Sequence, residues 1–128
     1  MGFVKLYGED DASTLTSSLN YTSTLIDLKR FKEAKSLLRR TMPVARRVLG
    51  DEDRLTLEMR TLYAQTLYED SDATLDDLRE AVTTFTEIER TARRVLGGAH
   101  PTTAGIEIAL RNARAALRAR ETPPPGDA

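Results

Sequence analysis

The chain of 128 residues has no cysteine, no tryptophan, one histidine and seven aromatic side chains. The missing cysteine removes disulfides, cysteine-bearing zinc sites and thiol nucleophiles together. The single histidine, His100, leaves any metal site to be completed by carboxylates, so no metal and no cofactor is expected. No apolar run nears the roughly eighteen residues of a membrane span, and membrane contact is not expected. The N-terminal Met1-Gly2-Phe3-Val4-Lys5-Leu6 fails as a myristoylation site, because Leu6 stands where Ser or Thr is required. It also lacks the basic stretch and apolar core of a signal peptide. A cytoplasmic location is therefore expected. A charge excess of one sign is absent as well: 19 basic residues face 20 acidic ones, for a net charge of −1. Proteins that bind nucleic acid usually carry a net basic surface, so nucleic acid is not the expected main partner.

What the sequence does have is repetition. Ala45-Arg46-Arg47-Val48-Leu49-Gly50 recurs without change as Ala92-Arg93-Arg94-Val95-Leu96-Gly97, an offset of 47. Glu33-Ala34 and Glu80-Ala81 share that offset, and Lys5-Leu6-Tyr7-Gly8 is a degenerate copy 42 residues before Gly50. The five extra residues of the longer unit fall between Leu67 and Leu78. Repetition at this period marks stacked structural units rather than one central core.

Inside each unit the apolar spacing is helical. Leu15, Leu19, Thr22, Leu25 and Leu28 form one stripe, and Phe31, Ala34, Leu37, Leu38, Ala45, Val48 and Leu49 form another. Leu57, Leu62, Tyr63 and Leu67 follow, then Leu75, Leu78, Val82, Phe85, Ile88, Ala92, Val95 and Leu96, and last Ile106, Ala109, Leu110, Ala113 and Leu117. Asp11 and Asp53 suit N-caps, and Thr74 with Asp77 makes a capping box. Pro101 suits a first helical turn, and Gly50 and Gly97 suit C-caps. The spacing predicts five helices, over 12–28, 31–49, 54–69, 75–96 and 101–120, and no strand. Pro43 leaves two readings open, a kinked continuous helix or two helices broken near Met42, of which the kink is preferred. Residues 122–128, with Pro123-Pro124-Pro125, are expected to form a disordered tail after a repeat domain over 1–121.

Helix pairs of this length, closed by Val-Leu-Gly and reopened by His-Pro, resemble tetratricopeptide repeats of the kinesin light chain type. Gly97-Gly98-Ala99-His100-Pro101 carries the opening motif, Asn20-Tyr21-Thr22 stands at the family's Asn-Leu-Ala, Lys29-Arg30-Phe31 at its Gly-x-Tyr turn, and Glu33-Ala34 at its Glu-Ala. Gly50-Asp51-Glu52-Asp53-Arg54 and Gly8-Glu9-Asp10-Asp11-Ala12 keep the spacing without His-Pro. Leu62-Tyr63-Ala64 departs at the Asn, and Ala109-Leu110-Arg111 at both ends. The resemblance spans roughly residues 5–118. It implies an all-α, right-handed α-solenoid of antiparallel helix pairs, with two repeats and a C-terminal capping helix. It also implies protein–protein recognition, with the Asn side chain holding the backbone of an extended peptide in a concave groove. A side-chain amide offers both a donor and an acceptor to a peptide unit.

Asn20 is the one residue that matches the peptide-holding Asn. Thr16, Ser23 and Asp27 share its helical face. The same face of the second unit presents Glu58, Thr61, Leu62, Gln65 and Glu69, and that of the third presents Ile108 and Asn112. Arg46, Arg47, Arg93 and Arg94 occupy equivalent positions and would align into a basic ridge, with salt bridging to nearby acids as the plainer outcome. Arg90, Arg111, Arg114, Arg118 and Arg120 add charge in the C-terminal half. The segment 69–77 holds five acids and no base, and most of them precede a helix, where negative charge is favoured. His100 reads as a turn and cap residue.

No residue set supplies a nucleophile, a base and an orienting group, so the expected role is non-catalytic. The leading expectation is a scaffold or adaptor that binds a peptide or protein in the groove. The alternative is an architectural or self-associating fragment of a longer repeat array, self-associating through the first helix, since three repeats are the usual minimum and this chain holds about two and a half. RNA or an acidic partner on the Arg clusters is a third option.

Overall fold

The computed structural model describes residues 12–122. They form five helices: α1 (Ala12–Asp27), α2 (Phe31–Val48), α3 (Arg54–Glu69), α4 (Leu75–Leu96) and α5 (Pro101–Glu121). There is no strand among the described residues. None of these helices is long and apolar enough to cross a membrane. The expected N-cap Asp11 and the tail from Pro123 lie outside the described residues.

The helix ends follow from local chemistry. The Asp53 carboxylate accepts the Leu55 N–H at 2.8 Å and starts α3. Thr74 and Asp77 exchange side-chain and backbone bonds at 3.0 and 3.1 Å, the capping box that starts α4. Pro101 opens α5 where its missing N–H has no intrahelical partner to lose. At the other end of α4, Gly97 adopts φ 93, a left-handed value that glycine alone takes without strain. The C-cap of α2 is Leu49 rather than Gly50; Gly50, one residue further on, makes the left-handed turn at φ 92.

Pro43 does not break its helix. The proline faces solvent, so the carbonyl that loses its partner is on the wet side of α2, while Leu38, Thr41, Val44 and Ala45 anchor the buried side on both flanks. The helix is continuous.

Each helix packs on the next, and α1 also touches α3, as α3 touches α5. The odd-numbered helices thus form one layer. The apolar interior is a string of three clusters rather than one centre. Leu25, Ile26, Phe31 and Ala34 form the first, and Leu15, Leu19, Leu38, Val44, Ala45 and Met59 the second. The third joins Leu57, Ala64 and Leu67 of α3 to Ala81, Phe85, Ile88 and Ala92 of α4 and Ile106, Leu110 and Ala113 of α5. Leu62 packs against the first two clusters, and Tyr63 against the second and third, so α3 carries the continuity of the stack. Burying each large apolar side chain contributes roughly 1.5–3 kcal/mol. Phe85, wholly buried with the Tyr68 ring edge-on at 5.8 Å, is the largest single contributor by size.

Three stripe positions turn out exposed. Leu28 lies beyond the end of α1 in the turn, and the repeat-equivalent Val48 and Val95 are 42% and 41% exposed in the last turns of their helices. Each sits past the point where a neighbouring helix covers it.

Candidate functional site

The odd layer leaves an open groove of about 590 Å³ with walls from α1, α3 and α5. Its lining repeats with the sequence. Ser23, Gln65 and Asn112 are separated by 42 and 47 residues and place one polar side chain from each odd helix in the groove. Asn20, Leu62 and Ala109 make a second such row, and Leu19, Thr61 and Ile108 a third. A fourth row pairs Glu58 with Gly105. The floor is aliphatic, from Leu19, Leu62 and Ile106, and the polar groups are hydroxyls, side-chain amides, the Glu58 carboxylate and the Tyr68 phenol.

Seven of the ten groove residues expected from sequence meet here: Asn20, Ser23, Glu58, Thr61, Leu62, Gln65 and Asn112. Thr16, Asp27 and Glu69 do not line it. The Thr16 hydroxyl donates to the Ala12 carbonyl at 2.9 Å, within its own helix. Asp27 is the exposed last residue of α1. Glu69 accepts a bond from Gln65 at 2.9 Å and borders a separate cleft, where the α3–α4 turn faces Lys29, Arg30 and Lys32. A helical face drifts around the axis over sixteen residues, so positions at either end rotate out of a groove centred on the middle.

Tyr68, Thr102 and Gly105 line the groove without having been singled out from sequence, and Ile106, read there as part of the last apolar stripe, joins them. Gly105 had a legible signal, its 47-residue correspondence to Glu58. Tyr68 follows Gln65 by three residues and shares its face. Its phenol is pushed above the ordinary tyrosine value by burial, then by the Glu69 charge, while the Asn112 amide on α5 pulls it back. Glu58 pairs with Arg54 at 3.3 Å.

The expected basic ridge is neutralised in large part by carboxylates. Arg46 pairs with Asp51 at 2.7 Å, and Arg94 reaches Glu52 at 2.7 Å, tying the end of α4 to the α2–α3 turn. Arg93 holds both Glu89 and Glu107. Arg47 also has an interaction of its own. The acids of the 69–77 segment serve the turn: Asp70 accepts the Asp72 N–H, Asp77 closes the capping box and Asp76 meets Arg79. His100 caps α5, its Nδ1 accepting the Thr102 N–H at 3.1 Å. No group of three or more metal-ligating side chains occurs among the described residues.

Comparison with known protein families, characterised proteins and solved structures gave no match for this chain.

Proposed function

We propose that the protein is a non-catalytic interaction module of the tetratricopeptide type, a right-handed stack of helix pairs capped by α5, that holds an extended peptide of a partner protein in the α1–α3–α5 groove. The observation that carries this reading is the polar row Ser23, Gln65 and Asn112, one side chain per odd helix, above a floor of Leu19, Leu62 and Ile106. Extended backbone presents a donor and an acceptor at every residue, and side-chain amides satisfy both. The aliphatic floor offers sites for alternate side chains of the same peptide. Glu58 and Tyr68 are the ionisable groups of the lining, which suits recognition more than acid–base chemistry. A cytoplasmic location belongs to this reading.

The test is a ¹⁵N NMR titration with a library of unstructured decapeptides. Binding peptides are expected to shift the amides of Asn20, Gln65 and Asn112 together, and Gln65→Ala with Asn112→Ala to weaken them at least tenfold. Peptides that bind while leaving those amides unmoved would dismiss the groove. A self-associating module is the second reading, favoured by the 57% exposure of Tyr21 on α1 and 60% of Leu28 in the turn that follows it. Sedimentation of a Tyr21→Ser, Leu28→Ser variant separates it, since only self-association through α1 makes the mass depend on these two residues.

A further inference from the structure

A second surface lies at the other side of the stack, in the slot between α4 and α5. Its lining includes Thr86, Glu89, Glu107 and Leu110. Each of these has a counterpart 47 residues earlier: Arg39, Met42, Arg60 and Tyr63 line the matching cleft between α2 and α3. In that earlier cleft the third wall is α4, which brings Glu80 and Glu87, seven residues apart. Tyr63 donates its hydroxyl to Glu80 at 3.3 Å, and Arg60 pairs with Glu87 at 3.0 Å. The slot between α4 and α5, of about 540 Å³, thus stands where the earlier cleft takes a helix as its third wall, although Arg60 and Tyr63, which meet the acids there, are Glu107 and Leu110 here.

The flank that would meet such a helix has changed character. On α3 the wholly buried Ala64 and the almost wholly buried Leu67 belong to the apolar cluster shared with α4. Their counterparts on α5 are Arg111 and Arg114, both exposed, and Arg118 continues the row one turn on. Positions 111, 114 and 118 recur at three and four residues, so the three guanidinium groups share one helix face. None has a carboxylate partner among the described residues, whereas Glu89 and Glu107, the acids of the slot, are already held by Arg93. The C-terminal end of α5 is fixed in place, because Arg120 donates to the Ala73 carbonyl at 2.9 Å and Glu121 meets Arg79 at 3.4 Å. Like charges so placed repel one another unless an anionic surface covers them.

We propose that the slot between α4 and α5 receives an acidic amphipathic helix of a partner protein, whose carboxylates pair with Arg111, Arg114 and Arg118 while its apolar edge lies against the exposed Ala115. A helix is the occupant the architecture favours, because in the matching cleft one repeat earlier a helix, α4, supplies the third wall. Its acids are required because the flank that was apolar there is cationic here. Carboxylates spaced seven residues apart on the incoming helix, as Glu80 and Glu87 are on α4, would match the span from Arg111 to Arg118. Planar guanidinium groups suit such pairing through two parallel hydrogen bonds each.

The experiment uses the full chain and a fluorescein-labelled, helix-stapled 18-residue peptide with one leucine stripe and glutamates flanking it at seven-residue spacing. A lysine version of the same peptide, a 15-nucleotide single-stranded RNA and phosphatidylserine vesicles are run beside it. The glutamate peptide is expected to bind, to shift the amides of Thr86 and of residues 111–118 and to leave those of Asn20 and Gln65 in place. Its affinity should drop at least tenfold between 50 and 300 mM salt and in the Arg111→Glu, Arg118→Glu variant, which should bind the lysine peptide instead. These arginines are exposed, so the variant should keep the wild-type circular dichroism; the lysine peptide on wild type makes the same comparison without any substitution. Equal binding of the lysine and glutamate peptides overturns the proposal. So does tighter binding of the RNA or the vesicles at residues 111–118, or the absence of any shift there.

Discussion

Thr56, in the first turns of α3, donates its hydroxyl to the carbonyl of Ala45 on α2 at 3.3 Å, and both residues are wholly buried. Forty-seven residues on, the same positions are Thr103 and Ala92, again wholly buried. There the Thr103 hydroxyl has no partner among the described residues. A buried, unpaired hydroxyl costs about 1–3 kcal/mol, while a satisfied one contributes about 1 kcal/mol. Valine keeps the shape of threonine without the hydroxyl, so the two equivalent substitutions should have opposite signs. Thr103→Val is expected to stabilise the protein by about 1 kcal/mol. Thr56→Val should cost about 0.5–1 kcal/mol, a modest figure because the Ala45 carbonyl keeps its bond from the Leu49 N–H. Urea denaturation of both variants measures the difference; a loss of stability in Thr103→Val would mean that a partner, such as a bound water, satisfies that hydroxyl.

Lys29 is the one non-glycine residue with positive φ among those described, at φ 62. It terminates α1: the Arg30 N–H bonds the Leu25 carbonyl at 2.8 Å, and the Lys29 N–H bonds the Ile26 carbonyl at 2.9 Å. That pair of bonds requires a left-handed residue, a conformation that costs an L-residue roughly 1 kcal/mol and costs glycine nothing. Lys29→Gly should therefore raise stability by about 0.5–1 kcal/mol, with the greater freedom of glycine in the unfolded chain offsetting part of the relief. Lys29→Val should lower it by a similar amount or more. Thermal melts of the three proteins check the order Gly above Lys above Val.

The helices were legible because their ends are written in single residues. Asp53, Thr74, Pro101 and Gly97 each fix a boundary through one hydrogen bond, one missing donor or one φ value, and all of these are local. The 47-residue offset then made the groove legible in outline, since equivalent residues on stacked helices must share a face. Pairings that arise only from packing were not. Glu52 meets Arg94 across 42 residues, and Glu107 meets Arg93 from a different helix, so the predicted ridge of arginine pairs is largely neutralised by acids that sequence spacing does not place beside it. Arg111, Arg114 and Arg118, with no carboxylate partner among the described residues, stand in the sequence only as added charge in the C-terminal half, and packing places them along a slot of their own. Exposure at helix ends was equally hidden, because whether Val48 and Val95 are covered depends on where the neighbouring helix stops.

Two tyrosines make stability depend on pH at the alkaline end. Burial pushes the Tyr63 phenol up from its ordinary value of 10.0, against a lowering hydrogen bond from Arg39 and with a further rise from Glu80. Tyr68 is raised by burial and then by Glu69. A group whose folded pKa lies above its unfolded one binds more protons in the folded state at the pH between them. Its contribution is fully present below about pH 10 and is lost as the pH climbs through the folded value. Denaturant midpoints should thus fall above pH 10, and the fall should be shallower in Tyr68→Phe and shallower still with Tyr63→Phe added. The comparison among variants, rather than the wild-type curve, isolates the phenols. Identical slopes in all three proteins would mean that neither phenol is shifted.

Gly105 separates the demands of the fold from those of the groove. It lies inside α5, is exposed, and borders the groove opposite the polar side chains of α3. A methyl group at this position would meet no atom within 4 Å, and its backbone is ordinary right-handed helix. Glycine in an exposed helix interior costs about 0.5–1 kcal/mol relative to alanine, so Gly105→Ala should stabilise the protein by that amount. The same methyl group occupies space that an extended peptide would use, since the counterpart of Gly105 on α3 is the longer Glu58. Higher stability and lower peptide affinity should therefore appear in one variant, and Gly105→Leu should weaken binding further through its bulk while remaining at least as stable as wild type. Melting temperature and fluorescence anisotropy with a groove-binding peptide read the two effects separately. A rise in melting temperature with unchanged affinity in both variants would show that the peptide does not lie against this stretch of α5, and would move the recognition surface away from the fourth row of the groove.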